Sequence, residues 1–283
     1  MATYVSSTKK SIVGEFVDGL ATFWRRRWLL KYFIQRQVTR SYKRSYLGIS
    51  WILLSPFVWV LFLALIFSEA VGIKDRLIPI PGQDDLNFGL YLYCGLLPFL
   101  AFSEAMNKGM SSIRGNSGLV QKVVFPLEIL PFTNTIASMI DKFFGVGALL
   151  IVAVLFGRDL HWTALLLPFV VLLQVVFILG LCYIMAVLGT YLPDLSEVMR
   201  PVIRGTFFLT PILWTPDRLP ESIRWVVDYN PLAYLVNAYR DLVLFGNLPG
   251  SLSTLYFTLF SVGLFIVGFA LFNRVKGGFA DQL

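Results

Sequence analysis

Residues 160–192 read LHWTALLLPFVVLLQVVFILGLCYIMAVLGTYL and contain no Asp, Glu, Lys or Arg. A helix rises 1.5 Å per residue, so about 20 apolar residues cross the hydrocarbon core of a bilayer. The core of a soluble domain does not need a charge-free run of this length. The stretch therefore predicts a transmembrane helix and decides the class of fold to which the chain belongs.

Outward from this stretch, the pattern recurs along the chain. Five further apolar runs occupy residues 51–67, 86–103, 129–157, 201–214 and 252–273. The run at 201–214 is too short to cross alone, and we expect its helix to begin near Ser196, which places Arg200 and Arg204 at the membrane interface. Hydrophobic residues make up 57% of the chain and charged residues 14%, against about 45–50% and about 25% in soluble domains. The sequence thus predicts an all-α membrane protein with six transmembrane helices.

The basic residues orient these helices. With six spans both termini fall on one side of the membrane, and that side has 17 of the 24 Lys and Arg residues. The opposite side has six, and Lys142 lies within a span. Because cytoplasmic loops carry an excess of Lys and Arg, both termini are expected in the cytoplasm. The net charge of +7 is explained by this topology, and we expect no nucleic-acid partner.

Residues 1–47 are predicted to form a basic segment at the cytoplasmic membrane surface, before a transmembrane domain at 48–283. One arc of a helix contains Ile12, Phe16, Leu20, Phe23, Trp24 and Trp28, with three arginines at 25–27 beside it. Aromatic and basic residues on an amphipathic helix favour the leaflet boundary. Further basic residues lead into the first span: Arg36, Arg40, Lys43 and Arg44. They are either topology signals or ligands for a lipid phosphate or pyrophosphate, and one role does not exclude the other.

Residues 113–126 are predicted to contain a short cytoplasmic helix. Gly115 and Gly118 precede residues 119–125, which read LVQKVVF and are mostly apolar, and Pro126 ends this stretch. A short helix with apolar side chains is suited to docking in the groove of a partner protein. The candidate contact residues are Arg114, Asn116, Leu119, Val120, Gln121 and Lys122.

Residues 215–250 contain helical pieces that are too short to span a membrane. Asn230 and Pro231 form a turn that can begin a helix, and Gly246 can end one. A pair of helices that dips into the membrane from outside and returns fits this pattern, with Arg240 and Asp241 balanced by their surroundings or by water. The alternative is an external loop with two surface helices.

Aromatic residues make up 16% of the chain. Because the faces of sugar rings stack on aromatic rings, an aromatic-lined channel would let a polymer slide. Candidate channel and gate residues are Trp59, Phe62, Phe207, Phe208, Trp214, Tyr229, Tyr234 and Tyr239. The alternative for each is contact with lipid or packing between helices.

Signatures of catalysis are missing from the sequence. It contains no Gly-x-x-x-x-Gly-Lys-Ser/Thr phosphate loop, no Gly-x-Ser-x-Gly and no His-Glu-x-x-His. His161 is the single histidine and cannot by itself build a metal site. We therefore expect a non-enzymatic chain without metal or cofactor. Cys94 and Cys182 lie in apolar runs and are expected to be buried thiols, whereas Asp141 and Lys142 should each face another helix or a wet cavity.

Several short motifs, taken together and in order, resemble the type-2 ABC exporter permeases of the polysaccharide, O-antigen and teichoic-acid branch. They are YLGISW at 46–51 followed by Pro56, GLLPF at 95–99, Asn116 with LVQKVVFPLEILP at 119–131, DLSEVMR at 194–200, PILW at 211–214, Asn230-Pro231 and Tyr239-Arg240. Two features depart from the family pattern: the Pro-rich loop at 72–87, and Gln121 where a basic residue is common.

The resemblance implies a homodimer in the bacterial inner membrane, assembled with two copies of a nucleotide-binding ATPase that binds ATP and Mg. It also implies an undecaprenyl-linked polysaccharide as substrate, an interfacial helix at the N-terminus, a coupling helix at about 113–126 and gate helices between spans five and six. Two other readings stay open. The same architecture could export a smaller amphiphile such as a drug or lipid, or the chain could be a membrane enzyme acting on lipid-linked sugars. The enzyme reading needs an acid–base cluster at one interface, whereas the external charges are scattered apart from the pairs at 84–85 and 158–159.

Overall fold

A computed structural model of the chain describes residues 25–42, 46–66, 87–122, 126–215 and 220–283. The predicted amphipathic arc from Ile12 to Trp24, together with Lys43 and Arg44, lies outside these residues, as does most of the Pro-rich loop. Within the described ranges the chain is helical and contains no strand. The all-α prediction is therefore confirmed for this part of the chain.

Ten α-helices follow one another in the described residues. They are α1 (Arg27–Tyr42), α2 (Trp51–Ile66), α3 (Phe88–Met110), α4 (Ser117–Lys122), α5 (Ile129–Leu155), α6 (Leu167–Tyr191), α7 (Leu195–Leu209), α8 (Trp225–Asp228), α9 (Pro231–Arg240) and α10 (Ser251–Val275). Short 3-10 turns occupy Gly48–Ser50, Arg114–Asn116, Trp162–Leu166, Glu221–Ile223 and Lys276–Gln282, and a π-helical turn occupies Asp241–Phe245.

Four helical stretches of the described chain are long and apolar enough to cross a membrane: Phe88–Met110, Ile129–Leu155, Trp162–Tyr191 and Ser251–Gln282. They correspond to four of the six predicted runs and make the chain a multi-pass membrane protein. The other two runs form shorter helices. Helix α2 is apolar but has 16 residues, and α7 has 15 residues that include Glu197, Arg200 and Arg204. Helix α7 begins at Leu195, close to the predicted start near Ser196.

Asparagine side chains cap the N-termini of two helices. Asn87 Oδ1 accepts hydrogen bonds from the backbone N–H groups of Gly89 and Leu90, at 2.8 and 3.4 Å, and thereby caps α3. Its Nδ2 donates to the carbonyl of Ala64 at 2.9 Å, which ties α2 to α3. Asn230 caps α9 by accepting from Leu232 N at 2.9 Å. The predicted start of a helix at Asn230 and Pro231 is confirmed.

Helices α3, α6 and α10 run in one direction through the bundle and α5 runs in the opposite direction, so their termini meet at its two ends. Helix α6 packs along α10 on one side and against α3 on the other, and α5 packs against α2 and α3. Cys94 on α3 and Cys182 on α6 are free and buried in this core, as predicted. At one end, called the coupling end below, α3 and α6 end, α5 begins and α10 ends. Helices α3, α6 and α10 begin at the opposite end, where residues 220–246 also lie.

Candidate functional site

Arg114 attaches the predicted coupling segment to the end of α6. Its Nε and Nη2 both donate to the carbonyl of Thr190, at 3.2 and 2.8 Å. The last carbonyls of a helix have no partner inside the helix, and a basic side chain near them is favourable. Asn116 Nδ2 donates to Ser112 O at 2.8 Å and stabilises the turn before α4. Both residues therefore shape the segment from within the subunit.

The other coupling candidates lie on different faces of α4. Leu119 and Val120 are half-buried, and Val120 packs against a core cluster that includes Ile113. Gln121 is exposed. The side chain of Lys122 lies outside the described residues. Among the α4 candidates whose side chains are described, Gln121 is the exposed one, whereas Val120 contributes to the fold of the subunit.

The C-terminal turn Lys276–Gln282 packs against the coupling segment. Phe279 is fully buried, with its ring centroid 5.3 Å from that of Phe272 and 6.1 Å from that of Tyr191. Lys276 Nζ forms an ion pair with Glu128 Oε2 at 3.3 Å. The turn contacts α4 directly. This contact is not predicted from the sequence. The one feature of the sequence that indicates it is Phe279, an aromatic residue among the polar residues of the C-terminal tail.

A polar recess of about 100 Å³ lies between α1 and the coupling end. Gln37 Nε2 donates to Asn134 Oδ1 at 2.8 Å, and Asn134 Nδ2 donates to Lys108 O at 3.1 Å, so that α1, α5 and α3 are joined. The recess is lined by Arg36, Lys108 and the hydroxyl residues Ser111, Ser112 and Thr133. Arg36 is the described member of the predicted phosphate-binding set, and its guanidinium lies 5.8 Å from the ring of Phe33. Arg40's side chain, Lys43 and Arg44 lie outside the described residues.

At the opposite end, the guanidinium of Arg240 is buried, with 1% of the residue exposed. Nη1 donates to the carbonyl of Pro211 at 2.5 Å, Nη2 to that of Ile212 at 2.8 Å, and Nε to that of Tyr91 at 3.4 Å. Its Cζ lies 3.5 Å from the ring centroid of Tyr91. The topology count places Arg240 in an external loop, whereas the structure places it in the protein interior. Backbone carbonyls accept the hydrogen bonds of the buried charge, a role that the sequence alone left to unspecified surroundings or to water.

Gly95 makes room for this guanidinium. A Cβ atom at position 95 would lie 2.6 Å from Nη2 of Arg240, a distance that van der Waals contact does not allow. Position 95 is the first residue of the GLLPF motif, whose role the sequence alone does not indicate. The left-handed φ of +70° at Gly246 ends the π-helical turn that follows Arg240, in agreement with the predicted stop.

Tyr239 is a correction to the predicted gate residues. It is 3% exposed, and its hydroxyl donates to Gln174 Oε1 at 2.6 Å. Gln174 Nε2 in turn donates to the carbonyl of Pro98 at 3.0 Å. Tyr239 therefore faces the core of the subunit and not a path along its surface, because it lies on the face of α9 that packs against α3 and α6. Gln174 escaped prediction because a single glutamine in an apolar run gives no indication of its partners.

The remaining aromatic candidates divide by exposure. Trp59, Phe62, Phe208 and Tyr229 are exposed on the subunit, Tyr229 to 66%. Phe207 packs edge-on against Phe99, with centroids 5.3 Å apart, and Trp214 Nε1 donates to Phe208 O at 3.1 Å. Tyr234 stacks on Phe257 at 4.6 Å and donates to Thr254 Oγ1 at 2.9 Å. The exposed members are free to line a surface, whereas Tyr234 attaches α9 to α10.

Across the part of the chain that the structure describes, no three His, Cys, Asp or Glu side chains come together as metal ligands would. The described side chains attach helices to one another at both ends of the bundle. This is the architecture of a multi-pass helical membrane protein.

Comparison with known proteins identifies the family. The chain belongs to the ABC-2 type transporter family, whose model matches residues 29–244. It is 28% identical to the O-antigen export system permease protein RfbA of Klebsiella pneumoniae, over 90% of this chain and 95% of that protein. It is 27% identical to RfbA of Myxococcus xanthus, over 91% and 96%. It is 25% identical to the polysialic acid transport protein KpsM of Escherichia coli, over 84% and 90%.

Proposed function

We propose that this chain is the channel-forming subunit of an ATP-driven exporter that moves a lipid-linked polysaccharide, of O-antigen, capsule or teichoic-acid type, across the bacterial inner membrane. The observation that carries the proposal is the family match, together with relatives that export O-antigen or polysialic acid and align over most of their length. Because the sequence contains no Gly-x-x-x-x-Gly-Lys-Ser/Thr phosphate loop, we propose that ATP and Mg bind to a partner chain.

The proposed topology has six spans and both termini in the cytoplasm. Helices α2 and α7 are the two further spans beside the four long ones. At 1.5 Å per residue each extends only about 22–24 Å. Local thinning of the bilayer and snorkelling by Arg200 and Arg204 accommodate such lengths. Residues 1–47 form the interfacial segment and residues 48–283 the transmembrane domain. The coupling end then faces the cytoplasm.

The coupling segment at 113–126 is proposed to dock on the ATPase. Its attachment to α6 through Arg114 and to the C-terminal turn through α4 gives it a rigid support. Exposed Gln121 offers a contact to the partner. A docked helix that is supported from behind transmits a displacement into the bundle, whereas a free loop would absorb it.

Two copies of the chain are proposed to enclose the polymer path, and residues 215–250 are proposed to close its outer exit. Exposed rings at Trp59, Phe62, Phe208 and Tyr229 support this assignment because they are available to face a second subunit or a sugar chain. Tyr239 has no part in this lining. At the cytoplasmic side, the recess beside Arg36 is proposed to receive the lipid phosphate, together with Arg40, Lys43 and Arg44.

The deciding experiment pairs this chain with a candidate ATPase from the same organism, in a bacterial strain whose own exporter has been deleted. We expect polysaccharide at the cell surface only when both chains are present, and no ATP hydrolysis by the purified chain alone. Export of a small lipid or drug without polymer would favour the smaller-amphiphile transporter. Polysaccharide at the surface without any ATPase would overturn the proposal.

A further inference from the structure

Two arginine side chains attach the two ends of the segment 190–212 to other parts of the bundle. At the coupling end, Arg114 donates twice to the carbonyl of Thr190. At the opposite end, Arg240 donates to the carbonyls of Pro211 and Ile212. Helix α7 lies between these attachments. The coupling segment and α9 are therefore both joined to the same stretch of chain, one at each end.

Helix α7 is loosely packed along its length. All of its residues are described, and Ile203 alone is buried. Its other apolar contacts with the bundle come from half-buried side chains, among them Phe207, which packs against Phe99. The attachments at its two ends therefore contribute much to its position. A helix with few buried side chains can shift relative to the bundle at low cost in apolar contact.

The attachment at Arg240 is stronger than an ordinary surface contact. Hydrogen bonds from a charged donor are about twice as strong as neutral ones, and here they lie in an interior from which water is excluded. The bonds to Pro211 and Ile212 measure 2.5 and 2.8 Å, whereas the bond to Tyr91 on α3 measures 3.4 Å. The guanidinium also contacts the ring of Tyr91, with Cζ 3.5 Å from its centroid. When α7 moves relative to α3, we expect this contact and the longer hydrogen bond to Tyr91 to yield before the two shorter bonds.

We propose that Arg240 is the positioning residue that makes α9 move with the outer end of α7, so that displacement of the coupling end reaches the residues that close the exit. The proposal rests on the proposed function of residues 215–250 as an outer gate. Arg114 is the matching attachment at the cytoplasmic end of the same segment. Arg240 acts through position alone and touches neither the polymer nor the nucleotide.

The experiment uses the complete exporter, this chain with its ATPase, in lipid nanodiscs. A Cys94→Ala, Cys182→Ala background has a single reporter, Tyr229→Cys, at an exposed position. The rate of its reaction with a membrane-impermeant maleimide is measured with and without ATP. In the parent we expect ATP to raise this rate. In Arg240→Gln we expect the rate with ATP divided by the rate without ATP to fall to about 1. Without the attachment, ATP binding no longer favours the open state of the gate over the closed state.

A purely structural defect would change the resting rate or abolish ATP hydrolysis, whereas the proposed role predicts that both stay as in the parent. Arg224→Gln is the matched control, since Arg224 is an exposed arginine in the same segment, and its ATP response should persist. An ATP response that persists in an assembled Arg240→Gln exporter overturns the proposal.

If Arg240→Gln does not accumulate in the membrane, Gly95→Ala decides the question. Its methyl group would lie 2.6 Å from Nη2 and displace the guanidinium without removing the charge. Loss of the ATP response in Gly95→Ala supports the proposal, and a parent-like response overturns it. A parent that itself shows no ATP response contradicts the outer gate, and the role of Arg240 falls with it. That result is distinct from a gate that responds without needing Arg240.

Discussion

Lys142 of α5 forms an ion pair with Glu104 of α3, with Nζ 2.7 Å from Oε2. The other carboxylate oxygen of Glu104 lies 2.5 Å from Nζ of Lys108, one turn further along α3. A charge within a membrane span needs such a partner, and the expectation that Lys142 faces another helix is confirmed. The side chain of Asp141 lies outside the described residues. Glu104 thus joins two helices of the bundle and neutralises one of two neighbouring cations.

Glu104→Gln is expected to destabilise the subunit, because it removes the carboxylate that pairs with both Lys108 and Lys142. Removing one partner of a fully buried pair costs about 3–5 kcal/mol, and the partial exposure of this pair reduces the cost. The thermal midpoint of the detergent-solubilised protein should fall clearly below that of the parent. Glu197→Gln is the control, since its ion pair with Arg200 is exposed and contributes little. Equal midpoints for both variants would contradict the role of Glu104.

Tyr239→Phe removes the donor to Gln174 and leaves a buried amide oxygen without its partner, which costs about 1–3 kcal/mol. A second change, Gln174→Met, removes that oxygen. We expect the double variant to lose less stability than the two single losses combined, measured as the free energy of unfolding in denaturant. Additive losses would mean that the hydroxyl and the amide do not interact.

Two neighbouring residues of α4 should respond differently. Val120→Asp introduces a charge where the side chain packs on the core, so the thermal midpoint of the subunit should fall. Gln121→Trp places a bulky ring on an exposed position, so stability should stay near that of the parent while binding of the ATPase weakens. Pull-down of the ATPase and thermal unfolding distinguish the two effects. Normal ATPase binding by Gln121→Trp would locate the docking contact elsewhere.

Phe279→Ala removes a fully buried ring beneath the coupling segment. A Phe-to-Ala change in a packed core costs about 3–5 kcal/mol, and here the loss should also loosen α4, which the C-terminal turn contacts. We expect a lower thermal midpoint together with a reduced ATPase rate in the assembled exporter. Gln282→Ala, at an exposed position of the same turn, should change neither quantity. A parent-like midpoint for Phe279→Ala would rule out the supporting role.

Trp59→Leu tests whether the exposed ring on α2 contacts the polymer or the lipid. Leu keeps an apolar surface, so insertion and thermal stability should not change. Loss of the flat ring should lower polymer export if Trp59 lines the path, as measured by surface polysaccharide at matched protein level. Export equal to that of the parent would assign Trp59 to the lipid-facing surface. Leu54→Ala is the control variant for surface polysaccharide, because Leu54 lies on the same helix in an apolar groove between α2 and α5.

Which helices form, and roughly where, follows from local properties of the chain. The run at 160–192 is apolar over its whole length, and the structure places a continuous helical stretch at Trp162–Tyr191. Asn230, Pro231 and Gly246 signal the start and stop of helices through their own backbone preferences. Hydropathy and capping depend on neighbouring residues in sequence, so both can be recognised before any packing is known.

The amino-acid sequence by itself determined that this is a helical membrane protein, where its apolar helices lie, and that its two cysteines are buried. Only the tertiary structure decided that Arg240 and Tyr239 point into the subunit and that Phe279 supports α4. Arg240 lies 149 residues from Tyr91, and its acceptors are backbone carbonyls. Because every residue has a carbonyl, no side-chain pattern marks which ones a guanidinium will meet. Which carbonyls bind the guanidinium is decided only when the helices pack. Gly95 contributes because it has no side chain and so leaves space for the guanidinium.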